Sequence, residues 1–387
     1  MMTEVPVSKS RAMKIGVLTF HSAHNYGAVL QAYGLQRELE AHGHEVEFIH
    51  YYSHQLEAKN RYKRPLKSPK DLVAKSGYLL FSGLLKRRFE RFESFQQNQL
   101  RLSPRYHTVA ELEAGPTEYD AYVCGSDQIW NFSEGASPVY FLRFLPTDRP
   151  AIAYAPSFGK TFEASSAPEH LADWIQRFQY LSARESSGVD FIQELAGRSV
   201  PQVLDPAFFL DGEGWGELAA PPLLQEPYLL FYALEMNART NAIIRYLSDT
   251  LKVRIVIAGK GGSFMLGRKT RIAIDSGPAE FLGLIRNARF VLSNSFHATV
   301  FSMLFGVPFL TIGHSSRNAR MESLLSMAGL GARLIRDVSD LHREPSLCNV
   351  ECKIDLGDSM KHALDISRNY LNNSLLEIAS RRGAVEC

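Results

Sequence analysis

The stretch RFVLSNSFHATVFSMLFGVPFLTIG, residues 289–313, decides the fold. An apolar run ends at Ser293-Asn294-Ser295. Phe296-His297-Ala298-Thr299 then opens a second apolar segment, which Gly306, Val307 and Pro308 close ahead of another strand-like run. Period and punctuation read as strand, polar turn, helix, strand. The helix begins where Ser295 and His297 sit, so its unpaired N–H groups and positive dipole end face whatever lies beyond the sheet edge. A helix start of this kind is a natural seat for a phosphate.

Bulk properties narrow the field. With 387 residues and 45% hydrophobic content, the chain can bury a large core and is expected to divide into two domains. Charged residues make up 22% and the formal net charge is +2, so no nucleic-acid partner is expected. The opening MMTEVPVSKSRAMK has no apolar core of signal-peptide type, and no run approaches the roughly 20 apolar residues of a transmembrane helix, which points to a cytoplasmic protein. The cysteines Cys124, Cys348, Cys352 and Cys387 are few for a disulfide framework. Cys348 and Cys352 lack a second pair or a neighbouring His cluster, so ordinary thiols are preferred to a metal site.

Working outward, residues 13–20 form a continuous apolar run, as expected for a central parallel strand buried on both faces. A polar loop, HSAHNYG, and then Ala28, Ala32, Leu35 and Leu39 at helical spacing lead to a stop at Gly43. Residues 45–52 complete a strand–helix–strand unit, and the dinucleotide fingerprint is absent from its first turn. Further strands are expected at 120–124, 151–155, 180–183 and 201–204, then at 228–234 and 253–258. Gly212, Gly214, Gly216 and Pro221-Pro222 mark the boundary between the two series. The expected organisation is an α/β chain of two Rossmann-like lobes facing a cleft. One lobe spans 13–206 with a helical insertion at about 53–118, and the other spans 227–355. A helix in 356–387, with Met360, Leu364, Leu371, Leu375 and Ile378 on one face, packs back on the body. The insertion is basic and amphipathic. It reads either as a helical excursion packed on its domain, the preferred reading, or as a membrane-surface element using Lys86, Arg87, Arg88 and Arg91 at the cytoplasmic face.

Seven segments now stand in order: HSAHNYGAVLQAYGLQ (21–36), DAYVCGSDQIWN (120–131), AYAPSFGK (153–160), SARESSG (182–188), VLDPAFFL (203–210), SNSFHATVFSMLFGVPF (293–309) and NARMESLL (318–325). Together they resemble the polysaccharide pyruvyl transferase family, over about residues 13–335. The resemblance implies a fold of the GT-B glycosyltransferase type. It also implies transfer of pyruvate from phosphoenolpyruvate to a sugar of a bacterial surface polysaccharide or its lipid-linked precursor, as a ketal. Where this family carries Arg-Leu-His, the chain has Ser295-Phe296-His297. His297 therefore carries over, the arginine does not, and another cation must take its place.

Phosphoenolpyruvate brings a phosphate and a carboxylate, so two cationic or N–H-rich sub-sites are required. The helix start at Ser295 and His297 supplies one. Arg184, Arg317 and Arg320 are the candidates for a bidentate grip, with Lys260 a weaker one. A histidine suits proton transfer near neutrality, which makes His297 the candidate general acid and donor-phosphate ligand. Asp127 is the candidate base for the acceptor, and Asn25, Ser126, Gln128 and Asn131 are candidates for holding its hydroxyls. Neither metal nor cofactor enters this scheme. Plainer roles stand beside these: Asp127 as a helix cap, Arg184–Glu185 as a structural ion pair, His21 and His24 as loop residues, and Trp130 as a buried anchor. Two other functions fit the same pattern, a nucleotide-sugar glycosyltransferase in which His297 and Arg320 grip a diphosphate, and a glycan-binding relative without catalysis.

Overall fold

A computed structural model describes residues 12–61, 71–115, 118–134, 137–235, 237–259, 270–313 and 318–385. The first sheet contains β1 (Lys14–Leu18), β2 (Glu45–Phe48), β3 (Ala121–Cys124), β4 (Ala151–Ala153) and β5 (Tyr180–Leu181), in the order β2-β1-β3-β4-β5. The second contains β6 (Tyr228–Tyr232), β7 (Arg254–Ala258), β8 (Thr270–Ala273), β9 (Phe290–Ser293), β10 (Phe309–Ile312) and β11 (Leu334–Ile335), in the order β11-β10-β9-β6-β7-β8. Every pairing is parallel. The central strands are apolar throughout because helices cover both faces of each sheet. Two expectations need correction. Residues 201–204 are not a sheet strand: they touch the end of β5 through one bridge, Ala183 to Gln202. The edge strands β8 and β11 were not expected, since TRIA is polar and LI too short to carry a period.

The helix Tyr26–Ala41 is buried along most of its circumference because it lies between the lobes. Asn25 caps it, Oδ1 accepting from Gly27 N at 3.0 Å. Val29, Leu30 and Leu35 share one apolar core with Phe281, Val291, Val300 and Phe301 of the second lobe. Tyr26 stacks on Phe281 at 4.2 Å with ring planes 2° apart. Two glycines seven residues apart permit close approach, Gly27 between the lobes and Gly34 within the first. A Cβ on Gly34 would fall 2.4 Å from the Pro206 carbonyl oxygen, and one on Gly27 would fall 1.9 Å from His297 Nδ1.

The longest helix of the insertion, Asp71–Gln99, is laid across both lobes. Phe92 packs on Tyr26 at 5.2 Å. Arg88 is buried, donates to the His24 carbonyl at 3.1 Å and lies over the rings of Phe92 (4.4 Å) and Tyr26 (5.0 Å). Arg91 donates to Asp275 Oδ2 at 3.1 Å and pairs with Glu280 at 3.1 Å. Of the four basic residues Lys86, Arg87, Arg88 and Arg91, Arg88 is thus spent on the first lobe and Arg91 on the second, while Lys86 pairs with Glu90 at 3.4 Å on the same helix. None of the described helices is long and apolar enough to cross a membrane.

The last helix, Gly357–Val385, returns to the first lobe. Ser367 Oγ accepts from Leu204 N at 2.8 Å, Arg368 pairs with Glu38 at 3.1 Å, and Met360, Leu371, Leu375 and Ile378 are buried. Leu364 is half-buried against the same core.

If Arg88 ties the insertion to the lobes, Arg88→Ala is expected to cost about 2–4 kcal/mol through the lost charge-assisted bond and ring contacts. Lys86→Ala is expected to stay within about 0.5 kcal/mol. Denaturant unfolding followed by circular dichroism measures both, and equal losses would refute the distinction.

Candidate active site

Each polar residue at the end of β9 has a structural task. Ser293 Oγ donates to the Tyr232 carbonyl. Asn294 accepts from Leu234 N at 2.7 Å and donates to the Glu235 carbonyl at 2.8 Å, which pins the neighbouring loop. Ser295 caps the helix Phe296–Leu304, its hydroxyl accepting from Ala298 N at 3.5 Å. His297 thus stands in the first turn of that helix, and its ring is directed at the first lobe.

The loops after β3, β4 and β5 come together opposite. Asp127 is held at φ 69° and pairs with Pro156, with Ser157 N donating to the Asp127 carbonyl at 2.9 Å. Arg184 N donates to the Pro156 carbonyl at 3.3 Å. The 201–204 segment then delivers Asp205, whose Oδ1 accepts from Ala207 N at 3.0 Å. Its Oδ2 accepts from Arg184 Nη1 at 2.5 Å and lies 3.3 Å from His297 Nε2. One carboxylate oxygen therefore meets a guanidinium of its own lobe and an imidazole of the other. The Arg184 side chain is 2% exposed and also faces Asp127 at 3.7 Å and Glu185 at 3.9 Å. Burial opposes its charge, but the three carboxylates outweigh burial and raise its pKa. Phe296, beside His297, has Arg184 4.6 Å from its ring on one hand and Arg320 of the second lobe at 5.7 Å on the other. With the Gln128 amide turned so that its oxygen faces Arg320, that oxygen accepts from both guanidinium nitrogens, at 3.1 and 3.0 Å.

Of the residues expected at a site, His297, Asp127, Arg184, Arg320 and Gln128 meet at the lobe junction. Ser295 adjoins them but spends its hydroxyl on the cap. Others need correction as ligand contacts. Ser126 is fully buried, donating to the Ala155 carbonyl at 2.8 Å, which puts it out of an acceptor's reach. Asn25 is exposed and gives its Oδ1 to the helix cap. Asn131 Oδ1 accepts from Ser133 Oγ at 2.6 Å and from Ser133 N at 3.1 Å. Lys260 and Arg317 lie outside the described residues. Rather than opening on a cleft, the His297 ring is closed over by Gly27, with its side chain 7% exposed.

The plainer reading holds for Trp130. Trp130 is buried against Phe141 at 4.8 Å, and its Nε1 donates to the Tyr140 carbonyl at 3.0 Å. Glu185 Oε1 accepts from Phe158 N at 2.9 Å, so Arg184 takes Asp205 as its closer partner. Asp127 caps no helix. Asp205, Phe296 and Gly27 were missed as site residues. A lone carboxylate before a proline carries no spacing signal, although its place just after an apolar run on the sheet rim was visible.

Burial works against ionisation of Asp205. The His297 interaction, followed by Arg184 and the Ala207 N–H, outweighs burial and holds the carboxyl well below the usual range. A depressed pKa contributes stability above the unfolded value, near pH 3.9, that is lost as pH falls toward the folded value. The stability gap between the parent and Asp205→Asn is therefore expected to narrow between about pH 6 and about pH 3.5. Urea unfolding at the two pH values checks this, and a gap that widens on acidification would refute it.

No curated protein matches the sequence. Among solved structures, the UDP-GlcNAc 2-epimerase of Methanocaldococcus jannaschii, in complex with UDP-GlcNAc and UDP, is 13% identical with a TM-score of 0.50, covering 92% of this chain and 98% of that one. Staphylococcus aureus MnaA bound to UDP is 12% identical with a TM-score of 0.53, covering 94% and 97%. The glycosyltransferase VinC in complex with dTDP is 13% identical at 0.44, covering 95% and 100%. At such identities the likeness is one of fold, the two-lobed α/β architecture that this chain shares with these two UDP-bound proteins. The sequence profile described as polysaccharide pyruvyl transferase matches residues 25–316, which include both halves of the His297–Asp205 junction, and the chain belongs to that family.

Proposed function

We propose that the protein transfers the pyruvyl group of phosphoenolpyruvate to a sugar of a bacterial surface polysaccharide, or of its lipid-linked precursor, as a ketal. The observation that carries this reading is the meeting of His297 with arginines from both lobes, Arg184 and Arg320, about the Phe296 ring. Two guanidiniums and a helix start match a donor with two anionic groups. They also stand in for the arginine that Ser295 replaces. The donor reaches His297 when the lobes part at the Gly27 contact.

In this reading Asp205 orients the imidazole through Nε2, and His297 delivers a proton to the methylene carbon of the enol. A sugar hydroxyl attacks the adjacent carbon, with Asp127 accepting its proton. The bond from that carbon to the phosphate oxygen then breaks. A second hydroxyl closes the ketal, and its proton leaves with the phosphate. Gln128 reads the acceptor from the rim.

Phosphate release from phosphoenolpyruvate with candidate glycan acceptors tests the reaction. His297→Ala is expected to lower kcat/KM by about 100-fold or more. Arg184→Met is expected to raise the donor KM, although part of its effect will come through Asp205. The fold likeness to UDP-bound proteins favours one other reading, a nucleotide-sugar substrate. Transfer from a nucleotide sugar with no response to phosphoenolpyruvate would overturn the proposal in its favour.

A further inference from the structure

A second cluster of ligating side chains lies at the entry and exit of the insertion, and the scheme above does not use it. The helix His54–Asn60 carries His54 and Glu57 one turn apart. Ser53 caps it, with Oγ accepting from Leu56 N at 3.2 Å. Asn60 fixes its far end, donating to the Ser22 carbonyl at 2.9 Å and accepting from His24 N at 3.1 Å. His107 arrives from the chain that leaves the insertion, which runs beside residues 50–52: Tyr106 N donates to the His50 carbonyl at 2.9 Å and Tyr52 N to the Tyr106 carbonyl at 2.8 Å. The rings of His54 and His107 lie 5.2 Å apart with planes 9° from parallel. His54 Nδ1 is 3.7 Å from Glu57 Oε2, and one donor atom from each of His54, Glu57 and His107 lies within 4.8 Å of the others.

We propose that His54, Glu57 and His107 bind a divalent cation of the zinc class. Two imidazoles and one carboxylate form a nitrogen-rich donor set of the kind zinc accepts, whereas calcium and magnesium take oxygen ligands. The second shell supports this. His107 Nδ1 lies 2.9 Å from the Tyr52 carbonyl. A carbonyl oxygen only accepts, so Nδ1 carries the proton and Nε2 presents its lone pair. A ring N–H bonded to a backbone carbonyl is the arrangement that fixes the tautomer of metal-ligating histidines. Arg61 Nη2 donates to Glu57 Oε1 at 3.0 Å, which leaves Oε2 on the His54 side. Zinc–nitrogen bonds of about 2.0–2.1 Å require donors closer together than they now stand. The exposed His54 side chain, at 73%, has room to turn inward. Water fills the fourth position. A cation there joins the chain entering the insertion to the chain leaving it, so binding is coupled to the stability of that junction.

The test uses the untagged full chain stripped with a chelator, titrated with zinc chloride by calorimetry and with cobalt(II) by visible absorption. One equivalent per chain and tetrahedral cobalt bands are expected. His54→Ala, Glu57→Gln and His107→Ala are each expected to weaken zinc binding about tenfold or more with unchanged far-ultraviolet circular dichroism. Cys348→Ser with Cys352→Ser is expected to leave the affinity as in the parent. Zinc is also expected to raise the unfolding midpoint of the parent and not of His107→Ala. No stoichiometric heat, parental affinity in the three variants, or an equal midpoint shift with and without His107 would each overturn the proposal. None of these readouts depends on phosphoenolpyruvate, so its outcome is separate from that of the pyruvyl-transfer reading.

Discussion

Asp205 has almost no access to water, yet it is charged, and this constraint organises the junction around it. A carboxylate taken out of water costs several kcal/mol unless its lone pairs are met. Here Arg184 and the Ala207 N–H meet them, and the His297 ring lies 3.3 Å away. Arg184 in turn needs Asp127 and Glu185 to balance its own burial. Removing any one partner strands another, so the two lobes are joined by a small network whose members depend on each other.

Such a network forms only if the backbones come close. The helix Tyr26–Ala41 allows this by presenting Gly27 to the His297 ring across the junction, while Gly34 on the same face lets the Pro206 carbonyl, next to Asp205, approach within the first lobe. A larger side chain at Gly27 would meet the His297 ring and hold the lobes apart. Tyr26 against Phe281, and Arg91 against Asp275 and Glu280, fasten the same junction from the side. The insertion thus acts as a strap.

The Ser-Phe-His variant of the family motif also gains a physical account. Ser295 is used as a helix cap, and Phe296 offers a ring flanked by two guanidiniums, one from each lobe. A flat guanidinium stacks on an aromatic face while keeping its edge donors for other partners. The two guanidiniums beside that ring come from Arg184, after β5, and Arg320, after β10.

The central strands, the helix after β1, the start of the helix at His297 and the returning terminal helix were legible in the chain alone. Each is written as a local period with its own punctuation, and such patterns survive any tertiary context. The family motifs likewise marked His297, Asp127, Arg184 and Arg320 without coordinates. The partnership of Asp205 with His297 was not legible, because 92 residues of chain separate positions 205 and 297 and no period links them. Nor were the demotion of 201–204 from strand to carrier of Asp205, the burial of Ser126, or the use of Arg91 as an interlobe tie. Local sequence determined which segments are strands and helices, since hydrophobic periodicity acts over a few residues. Only the packing of one lobe on the other decided which charges are buried together, since a buried charge is tolerated only where the fold happens to bring it a partner.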